Sequence, residues 1–269
     1  MLELNRIYQG DCLDLMREMP DKCVDLTVTS PPYDNLREYK GYAFDFEGIA
    51  KELFRVTKDG GVVVWVVGDA TINGSETGTS FKQALYFKEI GFNLHDTMIY
   101  QKNCYPFPPS NRYFGVFEYM FILSKFSPKT FTPIMVQTKN RGDDRFRTNR
   151  QPDGSIARQE YACGKYSRIK ENVWKYEVGF GKSTPDEIAY EHPAIFPDAL
   201  VNDHILSWSN EGDTVLDPFL GSGTTAVSCK KLGRNFIGIE KEPAYITIAE
   251  KRLEKVNNHK ITDFFGVSE

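Results

Sequence analysis

The chain lacks the features of secreted and membrane proteins. Its 269 residues include five cysteines without CxxC spacing, so neither a disulfide framework nor a zinc site is expected. The longest purely apolar run, Val62–Val67, is far shorter than the about 20 residues of a membrane span. The N-terminus has no apolar signal core behind basic residues. We therefore expect a cytoplasmic protein that binds neither a metal nor a membrane.

Charge of neither sign dominates, but the two signs are unevenly distributed. The net charge is −4, yet the stretch Lys125–Lys182 has 13 Lys and Arg against 6 Asp and Glu, whereas the rest of the chain has 20 against 31. On charge alone, a nucleic-acid surface and an ordinary solvated loop are equally compatible. Aromatic residues interleaved with these charges favour nucleic acid; they are Phe146, Tyr161, Tyr166, Trp174 and Tyr176.

Strand-like and helix-like apolar patterns alternate along most of the chain. Such alternation predicts an α/β fold with a doubly wound, mostly parallel sheet. The pattern breaks between about 126 and 188 and then resumes. We predict one α/β domain formed by residues 1–125 and 189–269, interrupted by a basic insert at 126–188.

A glycine-rich loop joins a predicted strand to a helix at Asp217–Thr225. Gly221 and Gly223 allow a ligand to approach the backbone, and the helix N-terminus offers N–H groups to an anion. The next predicted strand ends in Glu240, 23 residues beyond Asp217, where an acid commonly binds ribose hydroxyls. A lone GxG also serves helix–strand packing, but together with the acid it predicts a nucleoside-binding site.

A stiff segment, Ser30-Pro31-Pro32-Tyr33, follows a predicted buried strand. The prolines remove two backbone donors and keep the chain extended. The oxygen of Ser30 and the carbonyl of Pro31 can accept hydrogen bonds from an amino group, and Tyr33 offers a flat face to a planar base. A rigid connecting loop is the alternative. The position at the carboxyl end of a strand favours a functional role, because open α/β sheets bind ligands there.

TSPPY followed far downstream by DPFLGSGTT resembles the amino-methylating DNA methyltransferases that use S-adenosylmethionine. The motif order, with the basic insert between, is similar to their permuted beta group. The resemblance implies a Rossmann-like sheet of about seven strands, with residues 1–125 as the catalytic half, which takes the target base, and residues 189–269 as the cofactor half. It implies duplex DNA as partner, residues 126–188 as the target-recognition insert, and Ser30, Pro31, Pro32 and Tyr33 as catalytic residues.

For the cofactor, the resemblance implies a set of residues on both sides of the insert: Asp11, Cys12, Asp217, Phe219, Gly221, Ser222, Gly223, Thr224, Thr225 and Glu240. Asp11 matches the acid that meets the adenine amino group, although it is also the expected N-cap of a short helix. The segment beginning at Glu191 resembles the family's helix under the methionine moiety but lacks its common lysine, and we assign no role to His192.

The implied reaction methylates an exocyclic amino group of a base extruded from the duplex. Methylation of a ring carbon would need a cysteine nucleophile, typically after proline, and the sequence has no Pro-Cys pair. In the family, SPPY is commoner among cytosine 4-amino enzymes, so we favour cytosine over adenine. The remaining alternatives are a protein glutamine methyltransferase, in which the glycine loop precedes the tetrapeptide, and a DNA-binding module without enzymatic activity.

Five arginines are predicted to contact DNA: Arg112, Arg141, Arg145, Arg147 and Arg150. Arg112 follows a stiff proline-rich loop, and a surface ion pair is an equally good interpretation of that residue. A restriction-modification role, with a cognate endonuclease as partner, and a homodimer are both compatible with the resemblance.

Overall fold

The computed structural model describes residues 2–32, 44–103, 111–137, 145–161 and 167–258. The strands are β1 Arg6–Gln9, β2 Val24–Thr29, β3 Thr57–Val67, β4 Thr71–Ile72, β5 Ser75–Glu76, β6 Asn93–Lys102, β7 Phe117–Ser124, β8 Met135–Gln137, β9 Arg145–Arg150, β10 Ile156–Tyr161, β11 Ser167–Ile169, β12 Val173–Tyr176, β13 Thr214–Asp217 and β14 Asn235–Glu240. The helices are α1 Cys12–Arg17, α2 Phe46–Val56, α3 Thr79–Glu89, α4 Asp198–Trp208, α5 Thr224–Lys231 and α6 Pro243–Asn258, with a 3₁₀ helix at Glu187–Glu191.

Eight of these strands form one sheet in the order β1-β14-β13-β2-β3-β7-β6-β12. Every neighbouring pair is parallel except the two that involve β7, which runs antiparallel to β3 and β6. The predicted mostly parallel α/β fold is confirmed. The sheet has one strand more than the resemblance implied, and β12 joins it from within the predicted insert.

Helix α2 illustrates how the local sequence produces these elements. The carboxylate of Asp45 accepts a hydrogen bond from the Gly48 amide at 3.0 Å and caps the helix. Ile49, Leu53 and Val56 recur at helical spacing and are all buried. The capped, amphipathic segment therefore packs its apolar face into the hydrophobic core that covers one side of the sheet.

The centre of the sheet is the place where the chain reverses its direction of winding. From β2 the chain proceeds to its neighbour β3, whereas from β13 it proceeds to β14 on the other side. β13 and β2 are adjacent and parallel, with Leu216 paired with Thr27. Their carboxyl ends therefore flank a topological switch point, the position at which open α/β sheets bind ligands.

The chain divides into two compact units, Met1–Thr132 with Asn172–Glu269, and Pro133–Glu171. The second unit contains two antiparallel pairs, β9 with β10 and β8 with β11. It lies within the predicted insert 126–188, while the ends of that range, including β12, belong to the first unit. No helix in the described part of the chain is long and apolar enough to cross a membrane.

Candidate active site

Both predicted motifs begin at the switch point. Ser30 directly follows β2, and Asp217 is the last residue of β13. The hydroxyl of Thr29 donates to Asp217 Oδ1 at 2.7 Å. The Thr225 hydroxyl donates to Oδ2 at 2.6 Å, and the Phe219 amide to Oδ1 at 3.1 Å. One carboxylate thus connects the strand that leads into the proline segment with both ends of the glycine loop.

The Asp217 carboxyl group is fully enclosed. Burial raises the pKa of this group to about 6, and a smaller repulsion from Glu240 adds to the increase. Hydrogen bonds from Thr225, Thr29 and the Phe219 amide act in the opposite direction and lower the pKa. Three donors occupy its two oxygens. The Asp217 side chain therefore holds the loop in place instead of facing a ligand.

The two glycines of the loop have different neighbours. Both have left-handed backbone angles, with φ of 53° at Gly221 and 84° at Gly223. A Cβ on Gly223 would lie 2.6 Å from Cβ of Ala249, so this glycine is required by the packing of α5 against α6. A Cβ on Gly221 would lie 3.1 Å from Nε2 of His192. The imidazole of His192 therefore lies close beside the loop backbone at Gly221.

Glu240 lies against that glycine. Its Oε2 accepts a hydrogen bond from the Gly221 amide at 2.8 Å, and its Oε1 accepts from the amides of Lys241 and Glu242 at 2.8 and 2.9 Å. These bonds fix the carboxylate beside the loop. A carboxylate has about four acceptor positions, so capacity remains for a ribose hydroxyl. The structure thus places the predicted ribose-binding acid and the glycine loop together.

Asp11 lies at the same carboxyl end of the sheet, just after β1, which is the neighbour of the strand that ends in Glu240. Its Oδ1 accepts from the Leu13 amide at 3.0 Å and caps α1, and its Oδ2 is 3.2 Å from Nζ of Lys241. The neighbouring Gly10 amide donates to the Glu240 carbonyl at 3.0 Å. The cap interpretation and the position beside the cofactor acid therefore hold together.

Cys12, by contrast, directs its side chain into the hydrophobic core. Burial raises the pKa of this thiol to about 12, with a further increase from the charge of Asp11. A thiol that is neutral and enclosed does not bind a solvent-borne ligand. A cofactor contact of Cys12, which stays a prediction, would therefore involve only its backbone.

No sequence pattern indicated a role for Arg252, which lies behind the glycine loop. Its side chain is 1% exposed. One guanidinium nitrogen donates to the Ser222 carbonyl and hydroxyl at 2.8 and 3.2 Å and to the Thr224 hydroxyl at 3.0 Å. The other two pair with Asp186 and Asp198 at 3.1 and 3.3 Å. The hydroxyls of Ser222 and Thr224 therefore contact Arg252, which leaves backbone groups for the cofactor.

His192 also lies at the loop, although no role was assigned to it from the sequence. Its ring centroid is 4.1 Å from that of Tyr245, in an edge contact, and its Nδ1 accepts from the Ala194 amide at 3.0 Å. Because its Nε2 faces Gly221, the imidazole lies beside the loop backbone at this glycine. Only the resemblance of its segment to the family pattern pointed to this region.

The described residues of the proline segment, Ser30 to Pro32, are buried or half-buried. Pro31 is buried and Ser30 and Pro32 are half-buried, immediately beyond the fully buried Thr29. Tyr33 lies outside the described residues. Phe219, the predicted cofactor residue of the glycine loop, has its ring 5.8 Å from that of Phe44, in an edge contact. The described part of the site is thus a proline-stiffened strand end next to a glycine loop, two acids and an apolar wall.

Comparison with known proteins identifies the family. The DNA methylase family N6_N4_Mtase matches residues 24–251. The chain belongs to this family. M.BamHII, an orphan methyltransferase of Bacillus amyloliquefaciens, is 55% identical over 249 residues, which cover 89% of this chain and 92% of that protein. The type II methyltransferase M.BglII of Bacillus subtilis is 27% identical over 260 residues, covering 93% and 69% of the two chains.

Solved structures share the fold of this N6/N4 DNA methylase. PvuII DNA methyltransferase, described as cytosine-N4-specific, superposes with a TM-score of 0.67 at 20% identity and covers 96% of this chain and 90% of its own. The Thermus thermophilus protein TTHA0409, complexed with S-adenosyl-L-methionine, gives 0.62 at 24% identity, with 93% and 95% covered. The Rossmann-like fold is confirmed, and membership of a DNA methylase family favours neither a protein glutamine methyltransferase nor a non-enzymatic DNA-binding module.

The residues present fit the predicted cofactor. S-adenosylmethionine carries a ribose diol, which needs acceptors, and Glu240 supplies one next to the Gly221 backbone. The start of α5 adds a helix N-terminus. In the described ranges no group of three His, Cys, Asp or Glu could hold a metal ion.

The predicted DNA contacts fall in different parts of the DNA methylase. Arg112 donates to Thr71 Oγ1 at 3.1 Å and to the Gly74 carbonyl at 2.7 Å, so its guanidinium contacts the protein's own hairpin. Arg150 is exposed in β9, which also contains Arg145 and Arg147, while Arg141 lies outside the described residues. DNA contact by this group stays a prediction.

Proposed function

We propose that this DNA methylase transfers a methyl group from S-adenosylmethionine to the exocyclic 4-amino group of cytosine in a specific duplex sequence. The observation that carries the proposal is the hydrogen bond from Thr29 to Asp217, which fixes the Ser30 segment next to the glycine loop. A catalytic segment for an amino group and a loop suited to a nucleoside thereby lie next to each other at the switch point. Transfer between two bound molecules requires that arrangement.

On the cofactor side, Gly221 and Glu240 would hold the ribose, with Asp11 and the backbone at the start of α5 completing the site. When bound, S-adenosylmethionine supplies a methyl group activated by its sulfonium. The protein's contribution is to orient this group through a loop whose own side chains are bonded to Asp217 and Arg252. A loop held from both sides loses little freedom when a ligand arrives.

On the base side, the target nucleotide has to leave the stack to reach the Ser30 segment. The Ser30 oxygen and the Pro31 carbonyl would accept hydrogen bonds from the amino group, and the aromatic ring type of Tyr33 suits stacking on the base. This arrangement holds the amino hydrogens out of the plane of the base, so that the nitrogen lone pair leaves its conjugation with the ring. The nitrogen can then take the methyl group as the sulfur–carbon bond of the donor breaks. The amino proton is released afterwards to solvent, because an alkylated, cationic nitrogen is acidic. Catalysis is therefore mainly a matter of positioning.

The choice of cytosine over adenine rests on Ser30. Among the amino-methylating DNA methyltransferases that this chain resembles, those that act on adenine more often have an acid at this position. The PvuII DNA methyltransferase, which has the same fold and is described as cytosine-N4-specific, supports the same choice. Exposed basic residues of the insert, Arg150 among them, would position the duplex through its phosphates. A cognate restriction endonuclease and a homodimer stay predictions.

The test is to express the protein in cells that lack DNA methylation, digest their DNA to nucleosides and identify the methylated one by mass spectrometry. N4-methylcytosine is expected, and mapping of the modified positions would give the recognition sequence. A Ser30→Ala variant, which retains the cofactor loop, serves as the inactive control. If N6-methyladenine were the only new nucleoside, the base assignment would be replaced and the amino-methyl transfer retained.

A further inference from the structure

A small hairpin, Thr71–Glu76, follows the carboxyl end of β3. Thr71 pairs with Glu76 and Ile72 with Ser75, and the two residues at the tip, Asn73 and Gly74, have φ of 50° and 82°. These angles are those of a type I′ turn, which matches the twist of paired strands. All six residues are exposed, and Ile72 retains 56% of its accessible surface.

Polar bonds hold the hairpin from several directions. At its base, the Asp69 carboxylate accepts from the Ser80 amide at 2.8 Å, and the Thr77 amide donates to the Ala70 carbonyl at 3.0 Å. Arg112 holds its side by bonding Thr71 and Gly74. An isolated two-stranded hairpin is marginal in water. These anchors therefore keep an exposed element in a defined orientation, which a simple connection between β3 and α3 would not need.

The hairpin and the catalytic segment both lie past the carboxyl ends of neighbouring parallel strands, and therefore at the same end of the sheet. β3 is the neighbour of β2, with Trp65 paired with Thr29. Ser30 comes one residue after Thr29, and the hairpin begins six residues after Trp65. At about 3.3 Å per residue, its first residue lies at most about 17 Å further out than Ser30. A duplex that delivers a base to Ser30 has to approach this end of the sheet.

We propose that the hairpin contacts the duplex beside the target base, with Ile72 occupying space in the stack when that base is extruded. Apolar side chains, isoleucine among them, are inserted in this way by proteins that unstack DNA. Arg112 then acts as a positioning residue of the hairpin, in contrast to the DNA contact predicted from sequence. This inference rests on the proposed function, because it requires a base to be drawn out of duplex DNA.

The experiment compares two duplexes that contain the mapped recognition sequence. In one the target base is paired, and in the other it faces an abasic position, so that little unpairing is needed. Single-turnover methyl transfer from labelled S-adenosylmethionine is measured for the unmodified enzyme, Ile72→Ser and Arg112→Ala. Leu4→Ser is the matched control, because Leu4 is similarly exposed (46%) but precedes β1 at the amino edge of the sheet.

Ile72→Ser is expected to slow transfer about tenfold on the paired duplex and less than about twofold on the abasic one, since it removes help with extrusion only. Arg112→Ala should show the same selectivity, and Leu4→Ser should change neither rate. Equal losses of rate on both duplexes, or no loss on the paired one, would overturn the proposal. A change of oligomeric state in Ile72→Ser, measured by size-exclusion chromatography, that accounted for the loss of rate would also overturn it. If the unmodified enzyme methylated neither duplex, the proposed function itself would fail.

Discussion

The residues around the glycine loop and those of the second unit, Pro133–Glu171, are stabilised in opposite ways. Asp217 and Arg252 are enclosed, and each has several polar partners drawn from distant parts of the chain. In the second unit none of the described side chains is buried, and its ion pair between Arg168 and Glu171 is local and exposed. The cofactor half therefore has little tolerance for substitution, whereas the second unit can change its surface at small cost in stability.

The largest expected effect is that of Arg252→Met, set against Arg168→Met. Removal of the buried guanidinium leaves Asp198 and the Ser222 carbonyl without this partner, which costs about 3–5 kcal/mol of unfolding free energy. Loss of the exposed Arg168–Glu171 pair costs at most about 1 kcal/mol. Urea unfolding measures both, and calorimetry with S-adenosylmethionine should show weaker binding for Arg252→Met only. Similar unfolding energies would remove the contrast between the two regions.

A matched pair of glycines gives the next effect. Gly223 and Gly154 have nearly the same φ, 84° and 85°, but a Cβ on Gly223 meets Ala249 at 2.6 Å, whereas one on Gly154 meets nothing within 4 Å. Gly154→Val is expected to cost about 1–2 kcal/mol of backbone strain. Gly223→Val adds about 1–3 kcal/mol of overpacking and should lose cofactor binding. Thermal unfolding of both variants would refute the packing argument if their Tm values were equal.

The dependence of stability on pH should have opposite signs in the two regions. The pKa of Asp217 is raised to about 6, so between about pH 4 and 6 the folded protein retains a proton that the unfolded chain has lost. This group therefore stabilises the fold as the pH falls through that range, by on the order of 2–3 kcal/mol. Hydrogen bonds from Ser155 lower the pKa of Asp153, so its contribution is present at higher pH and is lost on acidification.

Urea unfolding of Asp217→Asn and Asp153→Asn across this range measures both contributions as differences from the unmodified protein. The Asp217→Asn difference should vary between about pH 4 and 6, and the smaller Asp153→Asn difference should vary only below that range. A flat Asp217→Asn difference would mean that its pKa is close to that of an exposed aspartate.

The smallest effect concerns the exposed arginines. Arg150→Gln is expected to leave stability and cofactor binding unchanged, because its side chain is exposed in β9. If it contacts one phosphate, the slope of log affinity for DNA against log salt should fall by about 1. Lys231→Gln, at the end of α5 in the first unit, is the control with the same loss of charge. An equal change for both variants would assign the effect to net charge.

The sequence predicted the parts of the site that have short patterns. Periodicity located six strands of the main sheet, β2, β3, β6, β7, β13 and β14, but not β1. The ends of three of these strands located Ser30, Asp217 and Glu240. Arg252 was not predictable, since its acidic partners lie 66 and 54 residues away and no local pattern marks such a pairing. Its position four residues after the buried Ile248, on the inner face of α6, was the one available signal.

Two further features depend on tertiary context. β12 has only four residues and lies in a segment without clear periodicity, although two of them, Trp174 and Tyr176, are buried. Its pairing with β6 therefore depends on tertiary packing that the local sequence does not indicate. Arg112 was predicted as a DNA contact because arginine type and loop position suggest one. The structure shows it bonded to Thr71 and Gly74, residues 41 and 38 positions away.

The way in which the chain leaves and re-enters the first unit has an evolutionary consequence. Just before the second unit the Thr132 amide donates to the Ser207 carbonyl, and just after it the Asn172 carbonyl accepts from the Ile99 amide, each at 2.8 Å. Both attachment points are thus closed by hydrogen bonds that belong to the first unit alone. A segment of different length or sequence can be exchanged between them while the sheet keeps its ladder. If the second unit reads the DNA sequence, as predicted, new sequence specificities can be acquired by exchange of this segment alone, while the methyl-transfer site stays unchanged.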